Sequence, residues 1–255
     1  MLLNRQVFFQ LINIVAFVVT LVVNGLAGST TLIGGVTSAD VSDRYPTLVT
    51  PAGFTFAIWG IIYTLLLLFV VYQALLRNRD KPFLSKIGLF FALSSICNVC
   101  WLLLWHNDLV THSVVLMLAL LASLIFIYLQ LDIGRVAVSL KEMTFVQLPF
   151  SVYLGWISIA TIANVSVVLT AVGWDGFGIE ASSWAVAIIC VALLLSLAML
   201  ATRKDIAFCF VVVWALTGIL VKQSEQASIV LASEVGIVLL LVAIVVTVAF
   251  SRLKR

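Results

Sequence analysis

The sequence is poor in charge. Asp, Glu, Lys and Arg make up 10% of its 255 residues, against about a quarter in soluble domains. So few charges cannot solvate a globule that is 64% hydrophobic, which excludes a single water-soluble core and implies lipid as the main solvent. The net charge is only +3, and Lys and Arg sit in short clusters between apolar stretches, so a nucleic-acid-binding surface is not expected. Histidine is nearly absent. His106 and His112 flank Asp108 in a short turn, a set that rarely closes a metal site. Cys97, Cys100, Cys190 and Cys209 all lie in apolar runs, so no disulfide framework is implied. Cys97 and Cys100 have redox-like spacing, but a reactive pair needs an accessible helix N-terminus, and packing is the reading here. No catalytic triad pattern, phosphate-binding loop or metalloprotease motif is present. No charged residue falls at the middle of an apolar stretch. Such residues are the usual mark of proton or ion coupling, so a pump is disfavoured.

Apolar runs are what the sequence holds in quantity. A membrane span needs about 20 mostly apolar residues. Eight stretches qualify or nearly do: 7–25, 53–76, 87–105, 111–131, 146–172, 183–202, 206–221 and 235–251. With the N-terminus inside, the inner side receives Arg5, then Arg77, Arg79, Lys81 and Lys86, then Arg135 and Lys141, then Arg203 and Lys204, and last Arg252, Lys254 and Arg255. Of the 14 basic residues only Arg44 and Lys222 fall outside. Short loops rich in Lys and Arg stay in the cytoplasm. The expectation is an all-α, polytopic membrane helix bundle of about eight transmembrane helices with both termini cytoplasmic. The first run has Arg5 before it and small residues after it, but it is long for a signal peptide and reads as a span.

Most connections are short. The exception is the first outer loop, about 26–52, rich in Gly, Ser, Thr and Asp and stiffened by Pro46 and Pro51. Long loops in compact proteins are often lids; this one reads either as a cover over the outer mouth or as a solvated connector. Trp105, Trp174 and Trp184 fall near outer span ends and suit the interfacial aromatic belt. Trp59 lies about 10 Å inside its helix, and Trp156 lies near mid-membrane. An indole N–H at that depth needs a protein partner. Helical spacing puts Thr55, Trp59 and Tyr63 on one stripe, Asn98, Trp101 and Trp105 on a second, and Tyr153, Trp156, Ala160 and Asn164 on a third. Converging stripes line a cavity with flat apolar walls and a few hydrogen-bonding groups, suited to a large planar ligand. The alternative is helix packing, with Asn98 and Asn164 bridging neighbours.

Pro51-Ala52-Gly53-Phe54-Thr55-Phe56-Ala57-Ile58-Trp59-Gly60-Ile61-Ile62-Tyr63 resembles the second helix of the TspO/MBR family, the tryptophan-rich sensory proteins whose mitochondrial member is the translocator protein. The family pattern there is a proline-led start followed by Trp-Gly-x-x-Tyr. Asn98-Val99-Cys100-Trp101 is similar to the family's Asn-x-x-Trp in the third span. Trp156-Ile157-Ser158-Ile159-Ala160-Thr161-Ile162-Ala163-Asn164 resembles its Trp-x-x-Phe-Ala-Thr-x-x-Asn in the fifth, with Ile159 in place of Phe. The motifs follow family order over about 1–172. The family's Trp-x-Pro-Pro start is reduced to Thr50-Pro51-Ala52, and Arg44-Tyr45-Pro46 stands where a Trp-Tyr pair is usual.

The resemblance implies a TspO-like five-helix membrane domain at 1–172, followed by a three-helix membrane extension at 173–255. It implies a ligand site built by Trp59, Tyr63, Asn98, Trp101, Trp156, Ala160 and Asn164 beneath the first loop, with no catalytic or metal-binding residue assigned. The implied ligand is a tetrapyrrole such as protoporphyrin IX, or a sterol-like flat lipid, bound as ligand and not as a resident cofactor. The implied role is sensory. Some relatives are associated with light-dependent porphyrin breakdown through a tryptophan pair matching Trp59 and Trp156; whether this chain is an enzyme stays open. Expected partners are the lipid bilayer and the small molecule, with a homodimer admitted and nucleic acid not expected. The expected location is a bacterial cytoplasmic membrane. A transporter or facilitator for an apolar metabolite, using the added helices, is the alternative, and a scaffold subunit is a third.

Overall fold

The computed structural model describes residues 2–29 and 32–253. All regular structure among the described residues is helical: α1 (Leu2–Ser29), α2 (Ser38–Arg44), α3 (Ile58–Ala74), α4 (Pro82–Ile87), α5 (Phe90–His106), α6 (Val110–Gln130), α7 (Leu140–Glu142), α8 (Leu148–Ala171), α9 (Ala181–Arg203), α10 (Ile206–Lys222) and α11 (Ala227–Leu253). Six helical stretches are long and apolar enough to cross a bilayer, and α5 and α10 are shorter apolar helices of 17 residues each. Together they are the eight expected spans of a polytopic all-α membrane bundle.

The boundaries moved where local chemistry overrides hydropathy. The third span was expected from residue 87, but Pro82–Ile87 forms the separate helix α4 and the chain turns at Gly88 before α5. The last was expected from 235, but α11 begins at Ala227 and carries exposed Glu234 in its first turns. Hydropathy drops there; helix geometry does not. α7 runs into α8 through a π-helical turn at Met143–Gln147. Pro149 explains its position: a proline ring clashes with the carbonyl four residues back, here Phe145, and the wider turn relieves the clash. The first loop is not irregular throughout. It holds α2, whose N-cap Thr37 accepts from the Asp40 N–H while the Asp40 carboxylate accepts from the Thr37 N–H, a capping box.

One apolar core runs through the bundle from α1 to α11. Helix α8 is central, packed against α3, α6 and α10, and is accordingly apolar on all sides. Helices α9–α11 share this core. At one end of the bundle, here the loop end, the Ala52 N–H donates to the Gly218 carbonyl at 3.0 Å and the Trp214 indole donates to the Thr55 carbonyl at 2.9 Å. A side chain at Gly218 would run into Thr55 and Pro51, so a residue without Cβ is what lets α10 lie against the start of α3. Lys222 pairs with Asp43, and Gln223 donates to the Thr47 carbonyl. At the opposite end, which holds the start of α1 and the end of α11, Arg203 pairs with Asp132 at 2.6 Å. Buried Asp205 accepts from Tyr128 at 2.8 Å, Ser151 at 2.7 Å and the Phe208 N–H at 3.0 Å. Those three donors offset the desolvation of its carboxylate.

Candidate functional site

The three stripes meet around Trp59. Its ring stacks on Tyr63 at 5.6 Å and on Trp101 at 6.1 Å, and meets Tyr153 and Trp156 edge-on, each at 6.2 Å. Offset and edge-on contacts are the favourable aromatic geometries. Phe56 closes the cluster against Trp156, and Trp105 extends it from Trp101 at 5.8 Å. Thr55 does not join this stripe. The chain from Gly53 to Ala57 is a 3-10 turn, which advances more degrees per residue than an α-helix, and Thr55 lies buried against Gly218 of α10 instead.

The polar residues divide by partner. Asn164 accepts from the Trp101 indole at 3.1 Å and donates to Ser113 at 3.1 Å, so it ties α5, α6 and α8 together. Asn98 accepts from Asn24 of α1 at 2.8 Å, and its own amide reaches the Tyr63 and Tyr153 hydroxyls only in poor hydrogen-bond geometry. The Trp156 indole N–H is buried without a partner. An unpartnered donor is expensive inside a membrane protein, and the Trp156 indole needs an explanation.

Two cavities flank the cluster. Trp59, Trp101, Trp156, Ala160 and Asn164 line one with Phe56, but it measures about 30 Å³, room for a water or two. The rings that were expected to enclose a ligand fill that space themselves. The second measures about 330 Å³ and lies between α1, the first loop, α3 and α5, with Trp59, Phe56 and Tyr63 on one side and Asn24, Gly28 and His106 on the other. That is within the range of small-molecule pockets, at its lower end. Trp59 and Phe56 line both cavities. Of the seven site residues expected, Trp59 and Tyr63 line the larger cavity, four others line the smaller, and Asn98 is connected through Asn24.

The first loop roofs this region. The His106 ring donates from Nδ1 to the Ile33 carbonyl at 3.2 Å, which leaves Nε2 to accept from the Ser38 hydroxyl at 3.0 Å. Gly34, at φ +65°, sits where a Cβ would collide with the His106 carbonyl. Tyr45 donates to Asp108 at 3.0 Å. Burial, and then that bond, push the Tyr45 phenol above its ordinary range. The Thr37 backbone and side-chain hydrogen bonds hold Asp40 below the usual carboxylate range. Trp105, expected in the aromatic belt, is instead buried and donates to the Ser38 carbonyl at 3.2 Å. Sequence reasoning also missed Asn24, Phe56 and Ser113. Asn24 was the readable one, an amide in an otherwise apolar span.

No curated protein and no solved structure was found to match the chain. A model of the TSPO-like protein family matches residues 10–246, a stretch that takes in the aromatic cluster, its roof and the helices after residue 172. The chain belongs to the TSPO-like protein family.

Proposed function

We propose that this protein is a membrane-embedded sensor that binds a flat, largely apolar ligand of the tetrapyrrole class beneath the first loop, against Trp59. The observation that carries the reading is the double role of Trp59. It walls a ligand-sized cavity on one face and the packed ring cluster on the other, beside the buried, unpartnered indole N–H of Trp156. A planar macrocycle offers an aromatic face to Trp59 and Tyr63 and polar edges to the amides. The 330 Å³ cavity is small for such a ligand, so binding entails a shift of the Trp59 ring and of the roof. Family membership supports a binding or sensory role in general; the ligand class rests on the shape and chemistry of the cavity and on the resemblance. The distribution of Lys and Arg supports cytoplasmic termini, which puts the loop end and its cavity outside.

The test is titration of the detergent-purified protein with protoporphyrin IX, followed by tryptophan quenching, beside a Trp59→Phe/Trp156→Phe variant. Saturable quenching in the wild type, with weaker affinity in the variant, is expected. Linear, unsaturable quenching in the wild type refutes the ligand class.

A facilitator for an apolar metabolite is the rival. Against it, Phe69, Phe83, Phe91 and Phe150 form a buried edge-on cluster nearer the opposite end. Flux across sealed vesicles would need that cluster to open; a sensor binds without flux.

A further inference from the structure

A third cavity lies at the other end of the molecule, remote from the Trp59 cluster. It measures about 370 Å³ and is bounded by α4, the connection after α6, and the α7–π-turn–α8 junction. Its chemistry differs from that of the loop end. Lys81 and Lys86 stand in the wall with the Ser139 hydroxyl and Gln147. Lys86 is exposed, at a distance from any carboxylate that forms no ion pair among the described residues. Gln147 is 7% exposed, and its amide nitrogen is buried with no hydrogen-bond partner. It is the last residue of the π-helical turn. Such turns recur at functional sites because they re-aim side chains out of α-helical register. Glu142 also belongs to the wall and holds Lys81 at 4.0 Å, leaving the second lysine to set the excess of positive charge.

We propose that this cavity binds a phosphate group, and that the phosphate is the headgroup of an anionic membrane lipid. Two ammonium groups, a hydroxyl and an unpaired amide N–H suit the oxygens of a phosphodiester. The rest of the wall is apolar, with Val136, Val138 and Val146 beside Phe83, as a glycerol and acyl stem require and a free anion does not. The site lies at the bundle end where most Lys and Arg gather, and basic pockets between membrane helices bind acidic headgroups. The inference is independent of what binds beside Trp59.

The test is amine-acetylation footprinting of the full chain in neutral detergent, read by mass spectrometry. Three probes are used: short-chain phosphatidylglycerol, short-chain phosphatidylcholine and inorganic phosphate. Phosphatidylglycerol is expected to protect Lys81 and Lys86, and phosphatidylcholine is not. Native mass spectra of Lys81→Ala/Lys86→Ala should show about tenfold weaker retention of phosphatidylglycerol. Gln147→Leu should weaken it too. Arg77→Ala, which removes one charge at the same end outside the cavity, should leave it unchanged, and Lys81→Arg/Lys86→Arg should keep it. Protection by inorganic phosphate without protection by lipid would retain the anion site and overturn the lipid as its source. Equal protection by both lipids, or equal losses in Arg77→Ala and the lysine variants, would overturn the site, because diffuse charge then explains the binding.

Discussion

The buried indoles make different bonds, and this separates packing from binding residues. Trp101 and Trp105 have acceptors in Asn164 and the Ser38 carbonyl, whereas Trp156 has none. Asn164→Ala strands the Trp101 N–H and should cost about 1–3 kcal/mol. Trp156→Phe removes a donor that was already unpaired, and the relief offsets the lost contact area, so stability should change by about 1 kcal/mol or less. Thermal unfolding of both variants in detergent checks the contrast; equal destabilisation would mean that Trp156 has a partner. At this scale the sequence was informative about residue types and silent about pairs. Trp59, Trp101 and Trp156 were legible because helical spacing and family motifs coincide. The Trp101–Asn164 bond joins residues 63 apart in the chain, and no local pattern encodes it. Trp105 was misjudged because a tryptophan near a span end looks the same whether it meets headgroups or the underside of a loop.

The elements with most bearing on the site are the roof and the helix that braces it. In α2 the capping box depends on ionised Asp40, whose folded-state pKa lies below its ordinary value of 3.8. A depressed carboxylate stabilises above its unfolded pKa and loses that contribution as pH falls through the folded one. Hydrogen-exchange protection of 38–44 should therefore be flat from neutral pH down to about pH 5 and fall only in more acid solution. Thr37→Ala should lower it throughout, by about 1 kcal/mol of helix stability. The brace is α10. Gly218→Ala sets a methyl against Thr55 and Pro51, and overpacking of this kind costs about 1–3 kcal/mol. The expected result is a lower midpoint in thermal unfolding with faster exchange at 52–57. The eight spans were legible from hydropathy and charge alternation alone. Helix α2 was readable too, in Thr37-Ser38-Ala39-Asp40, but the polar composition of the loop masked it. The contact of α10 with the start of α3 was not readable, since Gly218 in an apolar helix resembles any other membrane glycine.

Over the whole molecule, the two ends are chemically unlike. The loop end carries an aromatic-walled cavity under a capped roof, and the opposite end carries most of the basic residues and a buried network around Asp205. A packed phenylalanine cluster lies nearer the second end, which suits a protein that registers a ligand at one end and does not pass it through. The central claim is that the ligand occupies the cavity between α1, the roof and Trp59. Gly28 tests it directly, because it lines that cavity and a Cβ there would meet nothing within 4 Å. Gly28→Trp should fill the cavity without disturbing the fold. The measurement is the protoporphyrin IX titration repeated on this variant, read by the ligand's own absorbance because the variant adds an indole. The account predicts loss of saturable binding with an unchanged unfolding midpoint. Wild-type affinity in Gly28→Trp would contradict it.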